Sequence, residues 1–287
     1  MNFFADPHVS RHTRLTGAEI GLLAGIAALM MLALLGPALP ASAHQHSFAD
    51  QRWVWGIPCA LDVLSNLPFV VAGCWGLVVL RRVAPGALDA MSRALAILFF
   101  VGLVCTALGS TVYHWQPQDA GLLWDRLGMV LPFAGLLGLA AAGRVSTRAG
   151  GAVAALVLVA GGLAVVWWAH TGNLLPWAVV QIGGMLVVVV LACLPRQGGT
   201  LAIHLGAVIV LYALAKLFEA ADHLVFAATL QSVSGHSVKH LLAAGAAAPV
   251  LCALHALRHS GLTWAPRKVA CGQNGADAGG AAGRSGA

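Results

Sequence analysis

His236 and His240 stand four residues apart at the start of an apolar run that continues to Leu257. On an α-helix this spacing places both imidazoles on one face, one turn above the other. Two rings so placed can grip a single metal ion, as in other helical His-x-x-x-His sites. Ser110 and His114 repeat the spacing at the end of an earlier apolar run, and Asp125 follows after the short turn Gln116-Pro117-Gln118-Asp119. Three imidazoles, His114, His236 and His240, with a fourth position left open would be the arrangement of a catalytic zinc. Zinc lowers the pKa of a bound water toward about 7, which makes hydroxide available at ordinary pH. Asp125 could orient or deprotonate that water, and Ser110 could donate to the oxyanion that develops on an attacked carbonyl.

Each of these residues also has a plainer reading. A single intramembrane histidine bonds a neighbouring helix more often than a metal, and a serine within a span commonly bonds back to its own helix. Asp125 followed by Arg126 could be an interfacial ion pair. Glu219 and Asp222, three apart, could pair with Lys216 or Lys239 as structural glue. What favours chemistry is that two histidines share a helix face and sit level with His114 and Asp125.

The elements that must position these groups are membrane helices. The chain of 287 residues is 59% hydrophobic and only 9% charged, too little charge to cover the surface of a soluble domain. The expected fold is therefore all-α, a polytopic membrane helix bundle. Hydropathy places seven core spans at about 58–80, 93–114, 122–142, 151–169, 174–194, 201–221 and 237–258, each near the ~20 residues that a bilayer requires. A further apolar stretch at 18–40 ends in Pro40-Ala41-Ser42-Ala43 and reads as an extra N-terminal membrane helix, with a cleaved signal as the alternative. The domain reading is 1–43 for that segment, 44–57 for an outer linker, 58–260 for the seven-helix domain and 261–287 for a disordered Gly/Ala-rich tail. His44-Gln45-His46 in the linker reads as part of a solvated loop, with a surface metal as the alternative.

Basic residues alternate between connections. Arg81, Arg82 and Arg93 flank the first core connection, Arg144 and Arg148 the third, Arg196 the fifth, and Arg258, Arg267 and Lys268 follow the last span. The connections 115–121, 170–173 and 222–235 contain no Lys or Arg. The positive-inside rule then puts the basic loops and the C-terminus in the cytoplasm. The net charge of +6 is spread over helix ends and does not indicate nucleic acid. Six cysteines without a C-x-x-C pair indicate neither a disulfide framework nor a cysteine metal site. Trp53, Trp55, Trp115 and Trp124 fit an outer aromatic belt.

On this topology the polar residues of five helices fall at one depth, in the outer leaflet. They are Asp62, Ser65 and Asn66; Ser110 and His114; Asp125; Glu219, Asp222 and His223; and His236 and His240. Only His204 and His255 would be comparable in the inner leaflet.

The set Ser65-Asn66-Leu67-Pro68, Ser110-x-x-x-His114, Asp125 and His236-x-x-x-His240 resembles the alkaline ceramidases, within the seven-span membrane hydrolases that include the adiponectin receptors. The resemblance covers residues 50–260. It implies zinc held by His114, His236 and His240, a water between zinc and Asp125, and Ser110 polarising the scissile amide. The implied reaction is hydrolysis of a ceramide or related lipid amide to a fatty acid and an amine, with a membrane lipid as substrate. Asp62, Ser65, Asn66, Glu219, Asp222 and Lys239 would support the site or contact substrate. Calcium-regulated ceramidases carry an acidic cluster before the first core helix. Here only Asp50 and Asp62 remain, with Cys59 three before Asp62, which argues against a calcium site. Ser237-Val238-Lys239 replaces the aromatic pair found between the final histidines of ceramidases, and Lys239 could pair with Glu219 or Asp222 or reach a charged lipid head group. The localisation that follows is a bacterial inner membrane with the site facing the periplasm. Two other readings stand beside the hydrolase: a bis-histidine haem membrane protein using His114, and a non-catalytic receptor or scaffold tied together by zinc.

Overall fold

A computed structural model describes residues 14–259. The expected tail, Arg11, Arg267, Lys268 and Cys271 lie outside the described residues. Within them the chain is an all-α membrane helix bundle, with no strand beyond two isolated bridges, Pro40 with Asn173 and Val54 with Ile57.

The helices are α1 (Gly17–Leu35), α2 (Ala60–Leu64), α3 (Leu67–Arg81), α4 (Ala90–Trp115), α5 (Asp119–Arg144) and α6 (Thr147–Thr171). They continue with α7 (Leu175–Ala178), joined through one π-helical turn at Val179–Gly183 to α8 (Gly184–Cys193), then α9 (Leu205–Ala220), α10 (Asp222–Ala228), α11 (Gly235–Gly245) and α12 (Ala248–His259). Seven stretches are long and apolar enough to cross a membrane: α1, α2–α3, α4, α5, α6, α7–α8 and α11–α12.

The sixth expected core span, 201–221, is shorter than its hydropathy suggested. Residues 201–204 are not helical, and α9 has 16 residues. At about 1.5 Å per residue it covers roughly 24 Å, less than the ~30 Å hydrocarbon core. Two other expected spans are interrupted. Pro68 cannot donate to the Leu64 carbonyl, and α2 gives way to α3 at Ser65 and Asn66. Pro249 stands likewise just past the break between α11 and α12 at Ala246–Ala247. The connection expected at 222–235 contains a helix of its own, α10.

The scaffold of the bundle is the antiparallel pair α4 and α5. Its seam is built from glycines that let the backbones touch. A Cβ added at Gly109 would lie 2.3 Å from the Trp124 carbonyl oxygen, and one at Gly135 would lie 2.6 Å from the Phe99 nitrogen. Small residues at helix interfaces in this way replace the hydrophobic drive that lipid cannot supply. The Thr106 hydroxyl, placed between the carbonyls of Gly102 (3.0 Å) and Gly128 (3.1 Å), bridges the two helices. Around this pair, Phe100, Leu103, Leu137, Val188, Val208 and Val250 join α3, α8, α9 and α12 into one core.

α1 runs along the outside of the bundle and is tethered near both ends. Glu19 is buried and accepts from Arg148 (2.7 Å) and Ser146 (2.7 Å). Near the other end, the Leu174 N–H donates to the Leu39 carbonyl at 2.7 Å. Glu19 is a buried charge at the end of the bundle away from the histidines, where only His204 and His255 were expected.

Candidate metal centre

His114 is the next-to-last residue of α4, and His236 and His240 lie in the first two turns of α11. All three are buried. One ring nitrogen from each lies within 4.8 Å of the other two. The Nε2 atoms of His114 and His236 are 3.1 Å apart. Tetrahedral zinc with Zn–N of about 2.05 Å would set its ligand nitrogens roughly 3.3 Å apart, so this pair is already at bridging distance.

The start of α11 is held by three caps. The Ser234 hydroxyl accepts from the Ser237 N–H (2.9 Å), the ordinary N-cap bond. Asp222 accepts from the His236 N–H (2.8 Å) at one oxygen and from the Ala49 N–H (2.9 Å) at the other. Asp62 accepts from the hydroxyls of Ser234 (2.8 Å) and Ser237 (2.6 Å), both at Oδ1, while its buried Oδ2 has no partner among the described residues. Carboxylates at a helix N-terminus also face the positive end of the helix dipole. Gly235 is required here, because a Cβ would meet the Phe218 carbonyl oxygen at 2.3 Å.

The break between α2 and α3 orients one ligand. The Asn66 N–H turns to the Val63 carbonyl, leaving the Asp62 carbonyl for side chains. It accepts from the Ser65 hydroxyl (2.9 Å) and the Asn66 amide (3.1 Å). Ser65 has one proton and has used it, so toward His240 Nδ1, 2.7 Å away, its oxygen is the acceptor. His240 is thereby fixed as the Nδ1–H tautomer, with the Nε2 lone pair free for a metal. That is the orientation metal-ligating histidines usually receive from a second hydrogen bond. His114 lacks such a partner, and its Nδ1 is buried and unbonded.

Ser110, one turn before His114, is buried, and so is Asp125 on the facing helix. The close approach at Gly109 sets these two side by side. The plainer reading of Asp125 and Arg126 as an ion pair is not met among the described residues. Arg126 instead lays its guanidinium over Trp168, 3.8 Å from the ring centroid.

Lys239 reaches the cluster from its rim. Its ammonium donates to His236 Nε2 at 2.9 Å and to Glu219 at 3.2 Å, and Glu219 also accepts from Lys216 at 2.6 Å. Glu219 therefore pairs with both lysines. Asp222 pairs with neither and serves the backbone instead.

The linker before α2 is not a solvated loop. Phe48 is buried, with its ring centroid 4.6 Å from that of His114 and 4.6 Å from that of His236. Each side of this strap is tied down. His46 contacts the Tyr113 hydroxyl (2.9 Å) and Asp119 (3.0 Å), and the Tyr113 hydroxyl donates to the Gln45 carbonyl (2.8 Å). Across the site Arg52 forks onto Asp50 through two 2.7 Å bonds and reaches the Ser232 carbonyl at 3.1 Å. His223 meets the Ser47 carbonyl (3.1 Å). Sequence reasoning missed Phe48 and Tyr113 and gave Ser234 and Ser237 no role at the site. A large aromatic inside the otherwise polar stretch His44–Asp50 was the one signal for the strap.

The donor set suits a divalent metal of the zinc type: three buried neutral-ligand rings around one point, one of them with its lone pair oriented by Ser65. The ammonium of Lys239 must leave His236 Nε2 for that atom to ligate. No family model, curated protein or solved structure matches the chain.

Proposed function

We propose that the protein is a zinc-dependent intramembrane lipid amidohydrolase, acting on a ceramide or related lipid amide. The observation that carries the reading is the meeting of His114, His236 and His240 from two helices, 122 residues apart in sequence at the closest pair. The resemblance of Ser110, Asp125 and the three histidines to the ceramidase pattern supports it. Three rings converging on one point also favour an ion over a haem, whose axial histidines face each other across a porphyrin.

Bound zinc would supply a Lewis acid for the carbonyl and lower the pKa of water to about 7. His114, His236 and His240 would hold it. Asp125 takes a proton from the attacking water on its carboxylate and returns it to the amide nitrogen as the C–N bond breaks. The water oxygen stays on the acyl carbon, giving the fatty acid, and the nitrogen leaves as the amine. Ser110 orients Asp125 through the hydroxyl and can turn that proton onto the carbonyl oxygen. Phe48 keeps bulk water off the rings. The regular alternation of basic connections supports a C-terminus in the cytoplasm and a site on the periplasmic side of a bacterial inner membrane.

The test is metal analysis of the purified protein together with fatty-acid release from lipid amides. One zinc per chain is expected, lost in His236→Ala and His240→Ala. Asp125→Asn should keep zinc and lose hydrolysis. A stable, metal-free wild type would overturn the reading.

A further inference from the structure

The carboxylates at the rim of the site serve different donors. Asp222 is committed to two backbone N–H groups and Asp62 to two serines. Glu219 is the carboxylate that faces the lysines, and it serves two of them, Lys216 and Lys239. The side chains of this group grade outward, with Lys239 18% exposed, Glu219 35% and Lys216 45%. They therefore mark a path between the buried rings and the surface of the bundle. An ammonium has three donors. Lys239 spends one on Glu219 and one on His236 Nε2. A metal on His236 claims that lone pair, and Lys239 is left with two of its three donors unspent at the edge of the centre.

A neutral lipid amide offers those donors uncharged oxygens, whereas an anion on the substrate makes charge-assisted hydrogen bonds with them. Building on the hydrolase reading, we infer that the site takes N-acyl amides whose amine side carries an anionic group, with Lys239 as the group that binds it. The acyl chain lies toward the bilayer and the anion toward the rim, which places the charge on the amine half of the molecule. Lys216 keeps Glu219 partly neutralised, so Lys239 is free to turn from Glu219 to the ligand. The distances involved are those of charge-assisted hydrogen bonds, about 2.7–2.9 Å.

The test uses the zinc-loaded full chain in detergent and three ligands of equal chain length: N-lauroylglycine, N-lauroyl-phosphoethanolamine and the neutral N-lauroylethanolamine. Binding is measured by equilibrium dialysis and cleavage by fatty-acid release. At least a tenfold tighter binding of an anionic ligand over the neutral one is expected, and the stronger of the two anionic ligands tells carboxylate from phosphate. Lys239→Met should bring the anionic ligands to the level of the neutral one with zinc content still stoichiometric, and Lys239→Arg should restore most of the preference. Equal or better binding of the neutral amide by wild type overturns the inference, as does a preference that survives Lys239→Met. Preferential binding without cleavage supports the anion subsite and counts against the hydrolase. Cleavage without preference does the reverse.

Discussion

Ser65 Oγ accepts a hydrogen bond from His240 Nδ1 at 2.7 Å, because its own proton is already given to the Asp62 carbonyl. A broken helix at one side of the site thus sets the tautomer of a candidate ligand on the other. Ser65→Ala should lower zinc affinity about 10–100-fold, the usual cost of losing a ligand's outer hydrogen bond. Competition with a calibrated chelator measures it. Unchanged affinity would mean that His240 is oriented by packing alone.

Asp62 offers a sharper contrast. Both serine hydroxyls come to Oδ1, and Oδ2 has no partner among the described residues. Asp62→Asn keeps the accepting oxygen and should change stability little. Asp62→Ala strips the acceptor from two buried hydroxyls and should cost about 1–3 kcal/mol. Thermal unfolding in a fixed detergent compares the two. The idea fails if Asn is as damaging as Ala.

Phe48 covers two of the three imidazoles. Phe48→Ala should open the centre from the strap side, so that a water-soluble chelator removes zinc several-fold faster at similar equilibrium affinity. Equal removal rates would show that ions leave by another route.

The α4–α5 seam sets Ser110 against Asp125. At Gly109 even one added carbon meets the Trp124 carbonyl. Gly109→Ala should destabilise by about 1–3 kcal/mol through overpacking, and it should depress fatty-acid release more than zinc content, since the ligands lie beyond the clash. If zinc is lost in parallel with activity, the seam positions His114 as much as the Ser110–Asp125 pair.

The helical bundle could be read from hydropathy, the shared face of His236 and His240 from their four-residue spacing, and the level of His114 from the topology of the spans. The interruptions at Pro68 and Pro249 were visible as residues but not as breaks, because an apolar window averages over a proline. The contraction of α9 was hidden because the non-helical Leu201, Ala202 and Ile203 are as apolar as the helix that follows. The strap was out of reach, since Ala49 and Arg52 are held by partners over 100 residues away at Asp222 and Ser232. Hydrogen bonds of that separation leave no periodic mark on a sequence. Asp222, read as a possible partner for lysine, turned to backbone N–H groups that only the folded chain brings within reach.

That residue has a mechanical consequence. Through its two oxygens Asp222 grips the amide of Ala49 and the amide of His236 together. Peeling the cover away from the rings pulls on the same carboxylate that anchors the chain at His236, so the cover and the ring cluster are ganged to a single clasp.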